Sequence, residues 1–220
     1  MRVKVGQAVQ QSAQAEADIL KGIFAAHRLL AVNLVSSPGS GKTTLIEALI
    51  GVLAGRKRIA VVEGDVETDI DAARIRKHGV QVHQIMTRSS CHIPPFMLRE
   101  ALKRLDLAAV DILIIENVGN LVCPAEIPLG EDVRVVALSV TEGDEKPLKY
   151  PLMFSVCDVL LINKIDVLAY FDFDVEAVKE RAMKLNPKLR IIPISARTGE
   201  GIQEWADWLR TEVKHWNGNK

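Results

Sequence analysis

The feature that most constrains this chain is a glycine-containing loop set between a strand pattern and a helix pattern. The apolar run 29–35 (LLAVNLV) is typical of a buried strand, and 43–54 (TTLIEALIGVLA) has helical spacing. Between them lies Ser36-Ser37-Pro38-Gly39-Ser40-Gly41-Lys42-Thr43, a Walker A phosphate loop in which Ser36 replaces the first glycine. A strand that passes through such a loop into a helix predicts an α/β fold that binds nucleotide phosphates.

Each residue type in this loop has a physical task. Gly39 and Gly41 let backbone N–H groups turn toward phosphate, and the helix N-terminus adds positive dipole. Lys42 is expected to reach the β- and γ-phosphates, and Thr43 to offer its hydroxyl to Mg²⁺. The nucleotide-binding residues predicted here are Ser37, Pro38, Gly39, Ser40, Gly41, Lys42, Thr43 and Thr44. The alternative is an ordinary Gly-Ser turn before a helix.

Strand and helix patterns alternate through the remaining sequence. Further strands are predicted at 58–65, 80–85, 111–117, 133–140, 158–164 and 189–195, and further helices at 69–77, 95–105, 175–185 and 202–216. An amphipathic helix at about 7–28 precedes them. Hydrophobic residues make up 48% of the chain but aromatic ones only 5%, which favours an aliphatic core of parallel strands. We therefore predict a doubly wound, mostly parallel α/β sheet of about six or seven strands, in a single domain over 1–220.

Two acidic residues follow predicted strands at the edge of the sheet where ligands bind in this fold class. Glu116 and Gly119, in Glu-Asn-Val-Gly-Asn, stand where phosphate-loop GTPases carry an acid and a switch glycine. Glu116 is expected to act on Mg²⁺ or its waters, and Asp65 is a second candidate for the metal or for orienting the attacking water. With Lys42, these two acids are the predicted catalytic residues, and with Thr43 they form the predicted Mg²⁺ site. The alternative for either acid is a solvated strand end or a helix cap.

A guanine-recognition motif follows the predicted strand 158–164. Asn163-Lys164-Ile165-Asp166 has the NKxD pattern, in which Asp166 accepts from guanine N1–H and the exocyclic amine, groups that adenine does not supply. The Lys164 stem is expected to stack over the base, and Asn163 to hold the loop. Ser195, Ala196 and Arg197, after the last predicted strand, are expected to supply a further base contact. The alternative is a solvated turn.

Two cysteines and a histidine lie in loops and not in apolar strands. Cys91 and His92 are adjacent, and Cys123 follows shortly after Gly119. Thiolate and imidazole suit Ni²⁺ or Zn²⁺, so these three residues are predicted to bind a metal, completed by water, another residue or a second protomer. Cys157 lies in an apolar run and is predicted to be a buried small hydrophobe. We expect all the cysteines to be reduced.

Charge and hydropathy exclude other classes of protein. Lys plus Arg and Asp plus Glu each total 28, so nothing draws the whole molecule toward nucleic acid or an anionic membrane. The sequence has neither the apolar core of a signal peptide nor an uncharged run long enough to span a membrane. We expect a cytoplasmic location.

Taken together, the motifs resemble one family. VNLVSSPGSGKTTL, VEGDVETDIDAARI, SSCHIPP, IIENVGNLVCPAE and INKIDVL occur in the order found in HypB-type hydrogenase maturation factors, over nearly the whole chain. The resemblance implies a dimeric GTPase that delivers nickel to the [NiFe] hydrogenase large-subunit precursor together with a HypA metallochaperone. It also implies a Ni²⁺ or Zn²⁺ site of Cys91, His92 and Cys123 near the dimer interface, while Ser36 at the first Walker position is normal for the family.

Some positions depart from that family. The sequence beginning MRVKVGQAV has neither the amino-terminal cysteine motif nor the histidine-rich stretch of many relatives, which argues against a nickel store. Ile93-Pro94-Pro95 and Arg88 also differ from the residues common there.

Three other functions remain open from the residues. A urease-maturation GTPase is the nearest sibling, although its loop usually reads Cys-Pro-His. A phosphate-loop kinase for a small molecule would not need the guanine motif. A metal-dependent interaction switch, in which hydrolysis is a slow timer, shares all these motifs with a GTPase enzyme.

Overall fold

The computed structural model describes residues 2–218, with side-chain surroundings described over 10–213. The seven strands are β1 (Leu30–Ser36), β2 (Ile59–Asp65), β3 (Gln81–Met86), β4 (Ile112–Glu116), β5 (Val133–Ser139), β6 (Val159–Asn163) and β7 (Arg190–Pro193). They form one sheet in the order β3-β2-β4-β1-β5-β6-β7, and every pairing is parallel. The predicted parallel sheet is confirmed.

Helices connect the strands and cover both faces of the sheet. Over the described residues they are α1 (Arg2–His27), α2 (Lys42–Leu53), α3 (Ile70–Arg76), α4 (Pro95–Leu102), α5 (Cys123–Glu126), α6 (Lys146–Lys149), α7 (Pro151–Val156), α8 (Val175–Leu185) and α9 (Ile202–Gly218). α1 begins several residues before the predicted start, and α4 ends before the predicted end because the chain turns at Lys103. α5, α6 and α7 were not predicted.

The core consists of aliphatic side chains on the two faces of the sheet. On one face, Leu30, Val32 and Leu34 of β1 join the residues of α2 and α9. The opposite face carries two clusters, one with α1 and α4 and the other with α7 and α8. Strands buried on both faces explain the unbroken Val, Ile and Leu runs of the sequence. Helices on both faces also confirm the predicted doubly wound arrangement.

The sheet order brings the functional loops to one edge. β1, β4 and β2 are neighbours, and β1 also pairs with β5, so the carboxyl ends of these four strands lie side by side. The loops after β1 and β4 therefore meet at the point where the strand order reverses, which is the usual ligand-binding crevice of such sheets. Within residues 2–218, no helix combines the length and apolar character needed to cross a membrane.

Candidate nucleotide and metal sites

The loop between β1 and α2 has the backbone shape of a phosphate cradle. Gly41 has φ 94°, and a Cβ atom there would lie 2.8 Å from Asn163 Nδ2, so this position requires glycine for both its conformation and its space. α2 begins at Lys42 without a side-chain cap, which leaves its first N–H groups for an anion. The arrangement suits a bound phosphate chain.

Ser36 gives the unusual first Walker position a physical role. Its side chain is fully buried at the end of β1, and its Oγ accepts a hydrogen bond of 3.2 Å from Lys42 Nζ while donating to the Ser37 carbonyl at 2.6 Å. A glycine could not make the contact with Lys42. The serine therefore holds the lysine over the loop.

Three acids gather beside Thr43. Each of Glu63, Asp71 and Glu116 offers a carboxylate oxygen within 4.8 Å of the others, and Thr43 Oγ1 donates to Glu116 Oε1 at 3.0 Å. Glu63 and Glu116 are buried, and one oxygen of each, Oε2, has no hydrogen-bond partner. Buried, unpartnered carboxylate oxygens are costly, and a hard cation that prefers oxygen ligands would remove that cost. The donor set fits Mg²⁺.

The environment of this pair also favours holding a proton. Burial, together with repulsion from Glu116, raises the pKa of Glu63 to about 11. Burial likewise raises the pKa of Glu116. Two carboxylates in a water-poor place cannot both be ionised cheaply unless a cation lies between them.

Asp65 lies outside this cluster, and its predicted role at the metal or the attacking water stays a prediction. Its carboxylate oxygens accept from Glu67 N and Thr68 Oγ1, each at 3.1 Å, so it caps the turn that follows β2. Glu63 was not predicted, and it lies in the cluster because β2 and β4 pair with Glu63 directly opposite Glu116. The sequence signal for Glu63 was a charged residue inside an otherwise apolar strand, and it was not among the predicted site residues.

The predicted guanine loop forms a pocket of about 200 Å³ against the phosphate loop, lined by Gly41, Thr44, Asn163, Lys164, Asp166, Val167, Ala196 and Arg197. Asn163 Nδ2 donates to the Ser40 carbonyl at 2.8 Å, and Asn163 Oδ1 accepts from Ala196 N at 3.2 Å. Asn163 thus ties both loops together, as the sequence predicts.

Asp166 is held in place by the neighbouring loop. Ser195 Oγ donates to Asp166 Oδ1 at 2.7 Å and leaves the second carboxylate oxygen to meet a ligand. Lys164 has a left-handed backbone, φ 65°, and its Nζ donates to the Gly39 carbonyl at 2.7 Å, so its stem crosses the pocket. The structure therefore brings the NKxD residues and Ser195 to one place.

Two further residues contact the phosphate loop and were missed from the sequence. Glu142 accepts a short hydrogen bond from Ser40 Oγ, and Lys146 Nζ donates to Ser37 Oγ at 3.3 Å. Both lie in the segment after β5, which pairs with β1. No local sequence motif predicts these contacts, because they depend on which strands are neighbours in the sheet.

Cys91, His92 and Cys123 meet at the end of the sheet. One ligand atom from each lies within 4.8 Å of the others, and Cys91 Sγ is 3.9 Å from His92 Nδ1. Cys91 and Cys123 are joined in a disulfide, with Cα atoms 6.4 Å apart, which corrects the expectation of free thiols at these positions. The reduced pair, not the disulfide, supplies thiolate ligands. Cys157 is free and buried, as predicted, and burial raises the pKa of its thiol to about 12.

The segment after β4 contacts both sites. Glu116 meets Thr43, and a Cβ atom at Gly119 would lie 3.0 Å from Pro38 of the phosphate loop. The same segment continues into α5, which begins at Cys123. A phosphate loop, a buried acidic cluster and a base pocket arranged in this way define a phosphate-loop nucleotide-binding protein.

Comparison with known proteins narrows that class. The family model described as CobW/HypB/UreG, nucleotide-binding domain, matches residues 30–193. The hydrogenase maturation factor HypB of Azotobacter vinelandii is 52% identical over 86% of this chain, which spans 62% of that relative's length. The hydrogenase/urease maturation factor HypB of Helicobacter pylori is 40% identical over 94% of this chain and 86% of its own.

A solved structure agrees in shape. The crystal structure of Helicobacter pylori HypB in complex with nickel superposes with a TM-score of 0.89 at 40% identity, covering 93% of this chain and 96% of that one. The chain therefore belongs to the CobW/HypB/UreG family, and within it to the HypB members.

Proposed function

We propose that this chain is a GTP-binding and GTP-hydrolysing accessory protein that inserts nickel into [NiFe] hydrogenase. The observation that carries the proposal is the continuity of residues 116–123, which begin at the acidic cluster beside Thr43 and end at Cys123. One segment thus serves a nucleotide site and a Cys/His site. A change at the γ-phosphate would reach the metal ligands through it.

Each site residue has a task in this proposal. Asp166 reads guanine, Lys42 and the N–H groups of α2 hold the phosphates, and Thr43 with Glu116 and Glu63 holds Mg²⁺. The Mg²⁺ ion neutralises charge on the phosphates when bound. Asp71 stands close enough to position a water or the metal.

Nickel is the cargo of the Cys/His site. Reduced Cys91 and Cys123 supply thiolates and His92 supplies an imidazole, a set that also suits Zn²⁺. Cys91 is exposed, so a metal bound there is open to exchange with another protein. An open ligand set is what a delivery protein needs, in contrast to a closed structural site.

The relatives' names support hydrogenase maturation as the biological setting. In that setting we place a homodimer of single-domain protomers in the cytoplasm, working with a HypA-type metallochaperone on the hydrogenase large-subunit precursor. The Helicobacter pylori relative is named for both hydrogenase and urease, so urease maturation is the second candidate. A kinase is disfavoured because the pocket beside the phosphate loop is lined by Asp166, which Ser195 holds in place.

The nucleotide half of the proposal is tested by phosphate release from GTP and ATP with Mg²⁺. The unmodified chain should prefer GTP, and Asp166→Ala should reduce that preference by about a hundredfold or more, since two bonds to a charged group are lost and each costs about 1.5–3 kcal/mol. Lys42→Ala should abolish turnover. Asp172→Ala, an exposed acid in the same stretch of chain, is the matched control and should behave as the unmodified protein.

The biological half is tested in a cell that lacks its own nickel-insertion factor and expresses this chain. Restored hydrogenase activity supports the proposal, whereas restored urease activity alone assigns the second candidate.

An Asp166→Ala variant with unaltered GTP preference would mean that the base pocket lies elsewhere.

A further inference from the structure

A chain of buried polar side chains runs beneath the two proposed sites. Asn33 of β1 and Asn117 after β4 are both buried, on the face of the sheet where Ala31 belongs to one apolar cluster and Val35 to the other. Amides in such surroundings are costly unless every group is hydrogen-bonded. The side-chain hydrogen bonds of the two asparagines therefore show which segments of the chain they connect.

Asn117 holds the loop that carries Cys91 and His92. Its Oδ1 accepts from Ile93 N and from Val118 N, each at 3.0 Å. Both donors are backbone N–H groups, so the oxygen must face them and the orientation of the amide is determined. Its Nδ2 then donates to Asn33 Oδ1 at 3.2 Å.

The chain continues to the helix that carries Cys123. Asn33 Nδ2 donates to Glu131 Oε1 at 3.0 Å, and Arg134 Nε donates to the same oxygen at 2.7 Å. Arg134 Nη1 reaches the Ala125 carbonyl in α5 at 3.4 Å. The side chains of Glu131 and Arg134 are only 6% and 11% exposed, so water competes little for these bonds. One end of the path lies beside His92 and the other in the helix of Cys123.

We propose that Asn117 is the positioning residue that carries nucleotide state to the Cys91–His92 loop. Asn117 directly follows Glu116, which Thr43 contacts, so any movement of the segment at the γ-phosphate moves the amide that holds Ile93 N–H. This inference rests on the coupling of metal and nucleotide in the proposed function. It adds which side chain conveys that coupling.

The chemistry of the position explains why an amide is needed. The substitution Asn117→Asp would keep an acceptor for Ile93 N but would set a carboxylate oxygen against Asn33 Oδ1, whereas Asn117→Ala would leave Ile93 N and Asn33 without these partners. A second link, Asn120 Nδ2 to the Cys91 carbonyl at 3.2 Å, is exposed to water and therefore holds the loop less firmly. Asn117 is thus the stronger of the two connections between the segments.

The test measures nickel affinity of the reduced full chain by calorimetry, with GDP and with a non-hydrolysable GTP analogue. The ratio of the two affinities is the coupling factor, expected to be about fivefold or more in the unmodified protein. Asn117→Ala should bring the factor close to one while the variant still binds both nucleotides. Asn186→Ala, which removes a partly buried asparagine bond to the Cys157 carbonyl, should keep the full factor.

The outcomes separate the inference from the proposed function. A merely structural Asn117 would lower the thermal midpoint and leave the coupling factor unchanged, which would overturn the inference and leave the proposed function standing. Equal nickel affinities in the unmodified protein would remove the coupling itself, and the inference with it. If Asn117→Ala does not fold, Asn117→Ser takes its place, because the shorter side chain keeps a polar group but does not reach Ile93 N, and a full coupling factor in that variant would likewise overturn the inference.

Discussion

His92 is the residue whose protonation acts most directly on the proposed nickel site. Burial lowers the pKa of its imidazole below the ordinary value of 6.5. A proton competes with nickel for the ring only when the pH falls near that lowered pKa. The imidazole is therefore neutral, and ready to bind metal, throughout the neutral range.

The predicted pH dependence follows from that direction. The nickel affinity of the unmodified protein divided by that of His92→Ala cancels the contribution of the thiols, which both proteins share. This ratio should stay level above pH 6.5 and fall only below it. Calorimetry across that range checks it. A ratio that is constant into the acidic range would remove His92 from the ligands, and a midpoint above 6.5 would contradict the effect of burial.

Single residues also mark the limit of predicting the site from sequence. Asn163, Asp166 and Cys123 were predicted because the signal for each lies in a few neighbouring residues of the sequence. Glu63, two residues before Asp65 on β2, was missed because its place in the acidic cluster depends on the strand register that sets Glu63 opposite Glu116. That register is a non-local property, which no motif in one strand contains.

Helix α1 lies before the part of the chain that the family model matches, because that match begins at residue 30. Whether α1 belongs to the same folded unit therefore has to be judged from its packing. Leu20 and Phe24 are fully buried in the cluster they share with α4, whereas Ile19 on the same helix is 47% exposed. Burial on this scale makes α1 part of the core.

Phe24→Ala should therefore lower the free energy of unfolding by about 3–5 kcal/mol, since it removes a buried aromatic ring and leaves a cavity. Urea unfolding measures the change, and Ile19→Ala is the control because its side chain is half exposed. The control should differ little from the unmodified protein. A second transition at low urea, with the main midpoint unmoved in Phe24→Ala, would mean that α1 unfolds separately and that 1–220 is not one cooperative domain.

At the same scale, regular elements were predictable and short ones were not. Six of the seven strands appear as apolar runs, and β3 is the exception because it contains Gln81, His83 and Gln84; each strand was predicted close to its position. α5, α6 and α7 have four to six residues and contain prolines. They are too short to show the periodic spacing of apolar residues by which a helix is recognised in a sequence. The strand order was equally hidden, because it depends on contacts between distant runs.

In the molecule as a whole, one segment lies between the two proposed sites. Residues 116–123 contact the phosphate loop at Gly119 and the Cys91–His92 loop at Asn120, so the proposed coupling between the two sites would pass through this segment. By thermodynamic reciprocity, the factor by which a GTP analogue changes nickel affinity equals the factor by which nickel changes analogue affinity. The disulfide between Cys91 and Cys123 offers a way to remove one site and leave the other.

Oxidation of the reduced protein with diamide should accordingly abolish nickel binding. The two thiols lose two protons and two electrons to the diazene, which becomes a hydrazine, and the thiol count falls from three to one. Nickel should then no longer change analogue affinity, while the preference for GTP over ATP persists, because Asp166 is untouched. A thiol reductant should restore both effects.

Cys157→Ser should respond as the unmodified protein does, since the buried thiol that it removes has a pKa raised to about 12 and takes no part. Undiminished nickel affinity in the oxidised protein would move the ligands away from Cys91 and Cys123. Lost guanine preference would mean that the disulfide distorts the whole edge of the sheet, so that the two sites cannot be separated.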